Sequence, residues 1–555
     1  DEDSADLEGT LGNLFGEGWP VLRHEKLSFI YNRMLYFAAR KSDDARLLSR
    51  SAIPILFHHY NIEYGLFNPL STMIVLQNDV NAKGLRSAAK FLVNHADELL
   101  GNLSRIAEKA ADESDGGNGN ARDAARRISG LLGEAREGLR SMDPGRLADN
   151  AFLTQDILRD YNRDYSIGDS GLSREAKLVL GLLMRADHFA SGSLGLQASN
   201  IPPEMPPLDS AARVKASLSN SWQEELLQRT DLMEGNVCLV APTGSGKTEF
   251  ALLRNGLRKL VYTLPIRVAL NDLYENRFRK YYGEDGVGLL HSTGFLTILR
   301  GRDGDDEEND GKVHEMLFLS RNLSYPLMLA TPDQVLLSSL GYHGHEKLVT
   351  YAPYSHIVLD EVQAYNPEML AVVLESMHAM GRLGAKVTVM TATLPRFVRE
   401  ILEGEMGMRI MDVEGIAPRL SAGVKNLGVR RHLVSIRRVP PGEVEDAIAE
   451  EALEALADPS RRLVLVVVNT VPGAIRVYRS LCKRAKGRAD VELIHSRLLE
   501  RRKREVVDRA KDKGDGTRRE VPLILVATQV LEASVDVDAD YLVTELSSAD
   551  SLVQR

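Results

Sequence analysis

Cysteine is scarce in this chain. Cys238 and Cys482 are its two examples in 555 residues, too few for a disulfide scaffold or a cysteine-built metal site. A reducing, intracellular setting fits that composition. Long apolar runs are missing as well. A prominent one, "LVLVVV" at 463–468, falls far short of the roughly 20 residues that span a bilayer, so no membrane partner is expected. The first residues, "DEDSADLEGTLGN", lack the basic and apolar parts of a signal peptide. Positive charge is not in excess: Lys+Arg 69 against Asp+Glu 78 leaves a net −9. That balance argues against indiscriminate coating of nucleic acid, while a local basic groove stays compatible because binding follows local charge. No repeat of fixed period is present.

What is there is ordinary globular material, 44% apolar and 26% charged. The length predicts about three or four domains. Residues 21–195 read as helical, since "HEKLSFIYNRMLYFAARK", "SAAKFLVNHADELLGNLSRIAEKAA" and "REAKLVLGLLMRADHFA" space their apolar residues at the helical period. The polar "ADESDGGNGNARD" between the last two reads as an insertion. "NIPPEMPPLDS" is a proline-dense linker that resists helix. Beyond it, "NVCLVA", "KLVYTL", "HIVLD" and "KVTVMTAT" alternate with helical stretches, the pattern of an α/β domain on a mainly parallel sheet. A second series ("RLVLVVVNT", "VELIHS", "PLILVAT", "YLVTEL") begins near residue 430. "RIMDVEGIAPRLSAGVKN" connects the two, and the acidic "GRDGDDEENDGK" is a solvated loop. The layout expected is multidomain: a helical domain over 1–199, a linker over 200–211, and α/β domains over 212–425 and 426–555.

"CLVAPTGSGKTEFAL" is the strongest signal. An apolar strand leads into a small, flexible turn, and Lys-Thr opens a helix. Ala241, Gly246, Lys247 and Thr248 satisfy the [AG]-x-x-x-x-G-K-[ST] spacing, with Thr243, Gly244 and Ser245 forming the turn. Gly244 and Gly246 let the backbone N–H groups face a phosphate, and the helix N-terminus adds positive potential. Lys247 is expected at the β- and γ-phosphates of ATP and Thr248 at Mg2+. In "VLDEVQAYNPEML", Asp360 and Glu361 follow an apolar strand. Asp360 is expected to hold the Mg2+ and Glu361 to orient and deprotonate the attacking water, because phosphoryl transfer spreads negative charge over the equatorial oxygens. "SWQEELLQ" places Gln223 upstream, where it could read adenine.

Further segments point to a motor on nucleic acid rather than a metabolic kinase. "MTATLP" offers Thr391 and Thr393 to link the γ-phosphate site to a nucleic-acid track. "YTLPIRVALND" places Pro265 and Arg267 at a strand end, and "LATPDQVLL" places Thr331 and Asp333 at a helix start suited to a strand phosphate. In the second series, "VNTVPGA", "IHSRLLERRKRE" and "VATQVLEASVDVDADYLVTE" put polar residues at strand ends. Each segment is bland alone; their order carries the weight.

That order, over residues 220–555, resembles superfamily 2 helicases, and in detail the CRISPR-associated helicase-nucleases of type I interference systems. "LDEVQAY", "ATPDQVL", "HSRLLERRKRE" and "VATQVLEASVDVDADYLVTEL…DSLVQR" carry the likeness. It implies an all-α HD-type nuclease domain followed by two α/β RecA-like domains, with ATP bound between the latter. It also implies that Ser496, Arg497, Thr528 and Gln529 track DNA, while Asp536 and Asp538 couple the second domain to nucleotide. The partners implied are single-stranded DNA, tracked 3′-to-5′, and an RNA-guided multi-subunit surveillance complex, in a prokaryotic cytoplasm. In the helical domain, His24, His58, His59 and Asp187, the last beside His188, look like the family's later metal ligands, a set suited to Mn, Fe, Ni or Co. The defining His-Asp dipeptide and first histidine are absent upstream of His24, so truncation and a degenerate, docking-only domain both stay open. The chain stops at "LVQR", midway through the family's arginine-bearing sixth motif, so the second RecA-like domain is expected to be incomplete. A non-motor, ATP-gated clamp on RNA or protein is the reading from another class. Residues 1–555 alone are expected to bind ATP and hydrolyse it slowly; full-rate, DNA-stimulated turnover by this chain contradicts that.

Overall fold

The computed structural model describes residues 24–39, 82–113, 120–151, 165–166, 171–172, 174–193, 204–218, 221–228, 234–300, 307–340, 344–424, 433–511, 521–531 and 537–555, with residues 44, 48, 55, 232 and 427. The chain divides into two compact units, Asp1–Leu194 with Leu340–Thr350, and Gly195–Ser339 with Tyr351–Arg555.

In the first unit the described elements are α1 (His24–Ala39), α2 (Ala82–Asn94), α3 (Ala96–Glu113), α4 (Asn120–Ser141), α5 (Pro144–Ala151), the short antiparallel pair β1 (Tyr165–Ser166) and β2 (Gly171–Leu172), and α6 (Arg174–Ser193). Their apolar stripes meet in one core that includes Met34, Phe37, Leu92, Leu100, Leu139, Leu147 and Met184. Residues 340–350 group here, although they lie inside the stretch that the sequence assigns to the first α/β domain. The reason is a close approach. The short helix His345–Val349 packs on α6 at Gly181, where a Cβ would fall 2.1 Å from the Glu346 carbonyl oxygen. Arg185 then reaches Thr350 Oγ1 at 3.2 Å, and Lys347 Nζ lies 3.1 Å from His188 Nδ1.

The second unit holds two parallel sheets. The elements that matter are α7 (Trp222–Leu227), β3 (Val237–Val240), α8 (Lys247–Asn255), β4 (Lys259–Thr263), α9 (Arg267–Leu273), β5 (Val287–Leu290), β6 (Leu327–Ala330), β7 (Ser355–Asp360), β8 (Lys386–Thr391), β9 (Arg409–Asp412), β10 (Leu463–Val467), β11 (Asp490–Ile494), β12 (Leu523–Ala527) and β13 (Tyr541–Thr544). The first sheet runs β5-β6-β4-β7-β8-β3-β9 and the second β11-β12-β10-β13, every pairing parallel. The run "LVLVVV" shows why both faces are covered. Leu463, Leu465 and Val467 face one core while Val464, Val466 and Val468 face the other, the period-2 split of a strand buried on both sides. The parallel α/β series expected on either side of the connection at 409–426 is therefore present, except that Arg409–Asp412, expected in that connection, forms β9 of the first sheet.

One buried cation ties the amino-terminal edge of the first sheet together. Arg254, in the last turn of α8, is fully buried. Its guanidinium donates to Leu232 O (2.7 Å), Thr388 Oγ1 (2.6 Å) and Gly235 O. Burial pushes its pKa down to about 9. His356, also fully buried, has Nε2 at 2.7 Å from Thr388 Oγ1 and 3.3 Å from Arg254 Nη1, and Nδ1 at 3.2 Å from Asn255 Oδ1. Burial, then the charge on Arg254, holds the imidazole well below its ordinary range, so it is neutral. Replacing Arg254 by Met leaves these acceptors unpaired and is expected to destabilise the second unit by about 2–3 kcal/mol, read as a lowered thermal midpoint. For His356 the unfolded chain takes up a proton below about pH 6.5 and the folded chain does not, so stability falls as pH drops through that value. The urea midpoint should decline from pH 7 to pH 5, and His356→Gln should flatten that decline.

Candidate nucleotide site and nucleic-acid interface

The phosphate loop emerges from β3 and closes at α8. Gly244 and Gly246 take φ of +71° and +99°, the left-handed region that side chains rarely adopt. A Cβ on Gly246 would also fall 2.3 Å from Gln223 Nε2. Lys247 opens α8, nearly buried, with Nζ 3.4 Å from Ala241 O and 3.7 Å from Glu361 Oε1. The two predicted halves, glycine turn and acidic doublet, therefore meet, because β3 and β7 flank β8 in the sheet.

Asp360 is the last residue of β7. Its Oδ1 accepts from the Glu361 backbone N–H at 2.9 Å and its Oδ2 from the Tyr262 hydroxyl at 2.5 Å. Burial pushes the Asp360 carboxyl up to about 6; neighbouring Glu361 adds to that, while Lys247 and the Tyr262 hydrogen bond oppose it. Burial first, then Asp360, raises the Tyr262 phenol well above its ordinary range, so it stays a donor. Glu361 sits at φ +54°, ψ +50°, which costs a non-glycine residue about 1 kcal/mol. Such strain persists where the surroundings over-determine a functional side chain. Gln363 donates to Glu361 Oε2 and accepts from Thr391 Oγ1, so the acidic doublet is wired to the end of β8. The Thr393 N–H donates to Thr391 Oγ1 at 3.1 Å.

Helix α7 braces the loop from outside. Ser221 caps it by accepting from the Glu224 N–H at 3.1 Å. Trp222 Nε1 donates to Ser245 O at 3.0 Å and its ring stacks on Phe250 of α8, centroids 6.2 Å apart. Gln223 Nε2 donates to Gly246 O at 3.1 Å, so the residue expected near adenine touches the phosphate loop itself. Two buried hydroxyls around this site, Ser245 Oγ and Thr393 Oγ1, have no hydrogen-bond partner. Buried polar atoms of that kind call for a partner. Together with the left-handed glycines, the lysine and the Asp360 carboxylate, they fit a magnesium-bound nucleoside triphosphate. Thr243 is an exposed part of the same turn, and Thr248 is buried behind it.

Sequence patterns do not single out Tyr262, Gln363 or Trp222. Gln363 lies inside the acidic motif, yet its spacing there assigns it no role. Tyr262 and Trp222 read as core aromatics, and no spacing rule separates them from the rest of the core.

The residues expected on a nucleic-acid track sit past the carboxyl ends of the strands. Pro265 is half-buried after β4, and Arg267 is exposed at the start of α9, with Nη1 2.8 Å from Ser292 Oγ. Thr331 is buried after β6 and Asp333 is exposed beside it. Ser496 and Arg497 are exposed after β11. Thr528 is buried after β12, and exposed Gln529 donates to Asn469 O at 2.9 Å, bridging to the turn after β10. Asp538 is exposed, and Asp536 lies outside the described residues. Of the expected metal ligands, His24 begins α1 and Asp187 lies on α6, while His58 and His59 fall outside the described residues. Among the described residues no group of three or more His, Cys, Asp or Glu could hold a metal ion. No described helix is long and apolar enough to cross a membrane.

Comparison with known proteins gives this arrangement relatives. Residues 220–401 match the DEAD/DEAH box helicase family, and residues 460–555 match "CRISPR-associated nuclease/helicase Cas3, C-terminal". The "CRISPR-associated nuclease/helicase Cas3" of Methanothermobacter thermautotrophicus is 33% identical over 543 residues, 96% of this chain and 60% of the relative. That of Streptococcus thermophilus is 30% identical over 371 residues, 58% of this chain and 39% of the relative. The chain thus spans 60% or less of the length of these relatives. The crystal structure of T. fusca Cas3 shares the fold, with TM-score 0.52 and 18% identity over 95% of this chain and 70% of that one. With the glycine turn, acidic doublet and threonine strand end joined in one site, and these matches on both α/β series, the chain belongs to the family of CRISPR-associated Cas3 helicases.

Proposed function

We propose that the chain is the ATP-driven motor of a single-stranded DNA translocase that works with an RNA-guided surveillance complex and carries a metal-dependent nuclease in its helical unit. The observation that carries the motor is the joining of Lys247, Asp360, Glu361, Gln363 and Thr391 at the carboxyl ends of three strands of one sheet.

The mechanism follows from those contacts. Thr248 and Asp360 would hold a Mg2+ ion, which would offset the negative charge that develops during phosphoryl transfer. Backbone N–H groups of residues 243–247 cradle the phosphates, and Lys247 turns from Glu361 toward them. Release of that contact frees Glu361 to orient a water and accept its proton. Gln363 carries a change at Glu361 to Thr391, and thence to the segments past the neighbouring strands where Arg267, Thr331 and Asp333 lie. Ser496, Arg497, Thr528 and Gln529 supply the second domain's share of the track, by phosphate contacts that need no base reading. Recruitment of this chain to an RNA-guided complex is proposed by way of the resemblance to CRISPR-associated nuclease/helicases.

The nuclease rests on the family likeness, together with one structural support. The helix that His24 opens and the helix that bears Asp187 share a core through Met34, Phe37, Leu180 and Met184. Imidazole and carboxylate from such helices suit Mn, Fe, Ni or Co, which would activate water and stabilise a leaving oxygen.

Three outcomes are expected. Lys247→Ala should abolish ATP-dependent unwinding, measured by strand displacement, while cleavage of single strands persists; intact unwinding defeats the motor assignment. Glu361→Gln should keep ATP binding and slow hydrolysis at least about 100-fold, read by phosphate release against nucleotide affinity. His58→Ala should remove metal-dependent cleavage of single-stranded DNA and leave the ATPase untouched.

A further inference from the structure

Tyr262 is a buried side chain in contact with Asp360, one of the two groups assigned to the magnesium ion, and no step of the ATPase mechanism uses it. Its side chain is fully buried on β4, the strand beside β7. The phenol O–H donates to Asp360 Oδ2 at 2.5 Å. The base of this link is stiff. Tyr262 lies opposite Val358 in the β4–β7 register, Thr263 Oγ1 donates to Val358 O at 2.8 Å, and the Tyr262 ring packs edge-on against Phe278 with centroids 5.1 Å apart.

Asp360 thus has each carboxylate oxygen held by one donor, Tyr262 on Oδ2 and the Glu361 N–H on Oδ1. Two donors from two different strand ends leave the carboxylate plane no rotation, while a lone pair on each oxygen remains available.

We propose that Tyr262 is a positioning residue of the magnesium–nucleotide site: its hydroxyl holds the Asp360 carboxylate in the metal-binding arrangement before the ion arrives. This rests on the reading of the site as an ATPase. A carboxylate already aligned loses less rotational freedom when the ion is captured, so the link strengthens metal capture without touching the phosphates.

The test is Tyr262→Phe, which keeps the ring against Phe278 and removes only the hydroxyl. The full chain is titrated with Mg2+ in the presence of a fluorescent ATP analogue, with an EDTA baseline. Affinity in EDTA should match the unsubstituted protein within about twofold, and the Mg2+ needed for half-maximal tightening should rise about tenfold, the scale of one lost hydrogen bond to a charged group. In an Asp360→Asn background the same substitution should add almost nothing, because Tyr262 acts through that carboxylate. An unchanged or lowered Mg2+ midpoint overturns the proposal. So does a parallel loss of affinity in EDTA, which would assign the hydroxyl to the stability of the fold. Lys247→Ala in the same assay separates the two levels. If it binds the analogue like the unsubstituted protein, the nucleotide reading itself fails; if it does not and Tyr262→Phe is silent, only the positioning role fails.

Discussion

Parallel strand direction is the constraint on which the site depends. Both sheets of the second unit run all their strands one way, so every segment that follows one of these strands opens along the same edge. Crossover helices cover both faces, which leaves the carboxyl edge as the place where polar loops from distant parts of the chain can converge. The phosphate loop after β3, the acidic doublet after β7, the threonines after β8 and the Arg267 segment after β4 meet there for that reason. Backbone hydrogen bonding along the ladder, rather than any contact among the functional side chains, brings them within a few ångströms.

The opposite edge of the first sheet shows the cost of building it this way. Arg254, His356 and Lys386 are buried near the strands' amino ends, where the Lys386 ammonium donates to Arg254 O at 2.6 Å. Burial, with the charge on Arg254, pushes Lys386 down to about 8. These groups are held by backbone carbonyls and hydroxyls and lie at the end remote from the nucleotide site. Their work is to fasten the end of α8 to β7 and β8, so that its other end, the phosphate loop, has a rigid support. Strain appears instead at the functional edge, where Glu361 adopts a left-handed backbone. Polar satisfaction at one edge and strain at the other are what a preorganised site on a stiff sheet requires.

The helical unit reaches into the α/β sequence through residues 340–350, between the "LATPDQVLL" segment and the acidic motif. Gly181 permits that contact, since any side chain there would collide with the Glu346 carbonyl. The segment between "LATPDQVLL" and the acidic doublet is thereby packed against α6, the helix that carries Asp187.

Periodicity and spacing determined much of this protein from the sequence alone. The alternation of short apolar runs with helical stretches specified parallel α/β domains, because strands covered on both faces must be apolar throughout. The glycine turn with Lys247 and Thr248, and the Asp360–Glu361 pair, were legible because their chemistry demands particular residues at fixed offsets on one strand-to-helix turn. Tertiary structure alone decided what crosses between strands. Sequence patterns record which face of an element a residue occupies, not which distant strand lies beside it. Only the order β4-β7-β8-β3 turns Tyr262 from a core aromatic into a clasp on Asp360 and joins Gln363 to Thr391. Only the close packing at Gly181 lifts residues 340–350 out of the domain in which their sequence places them.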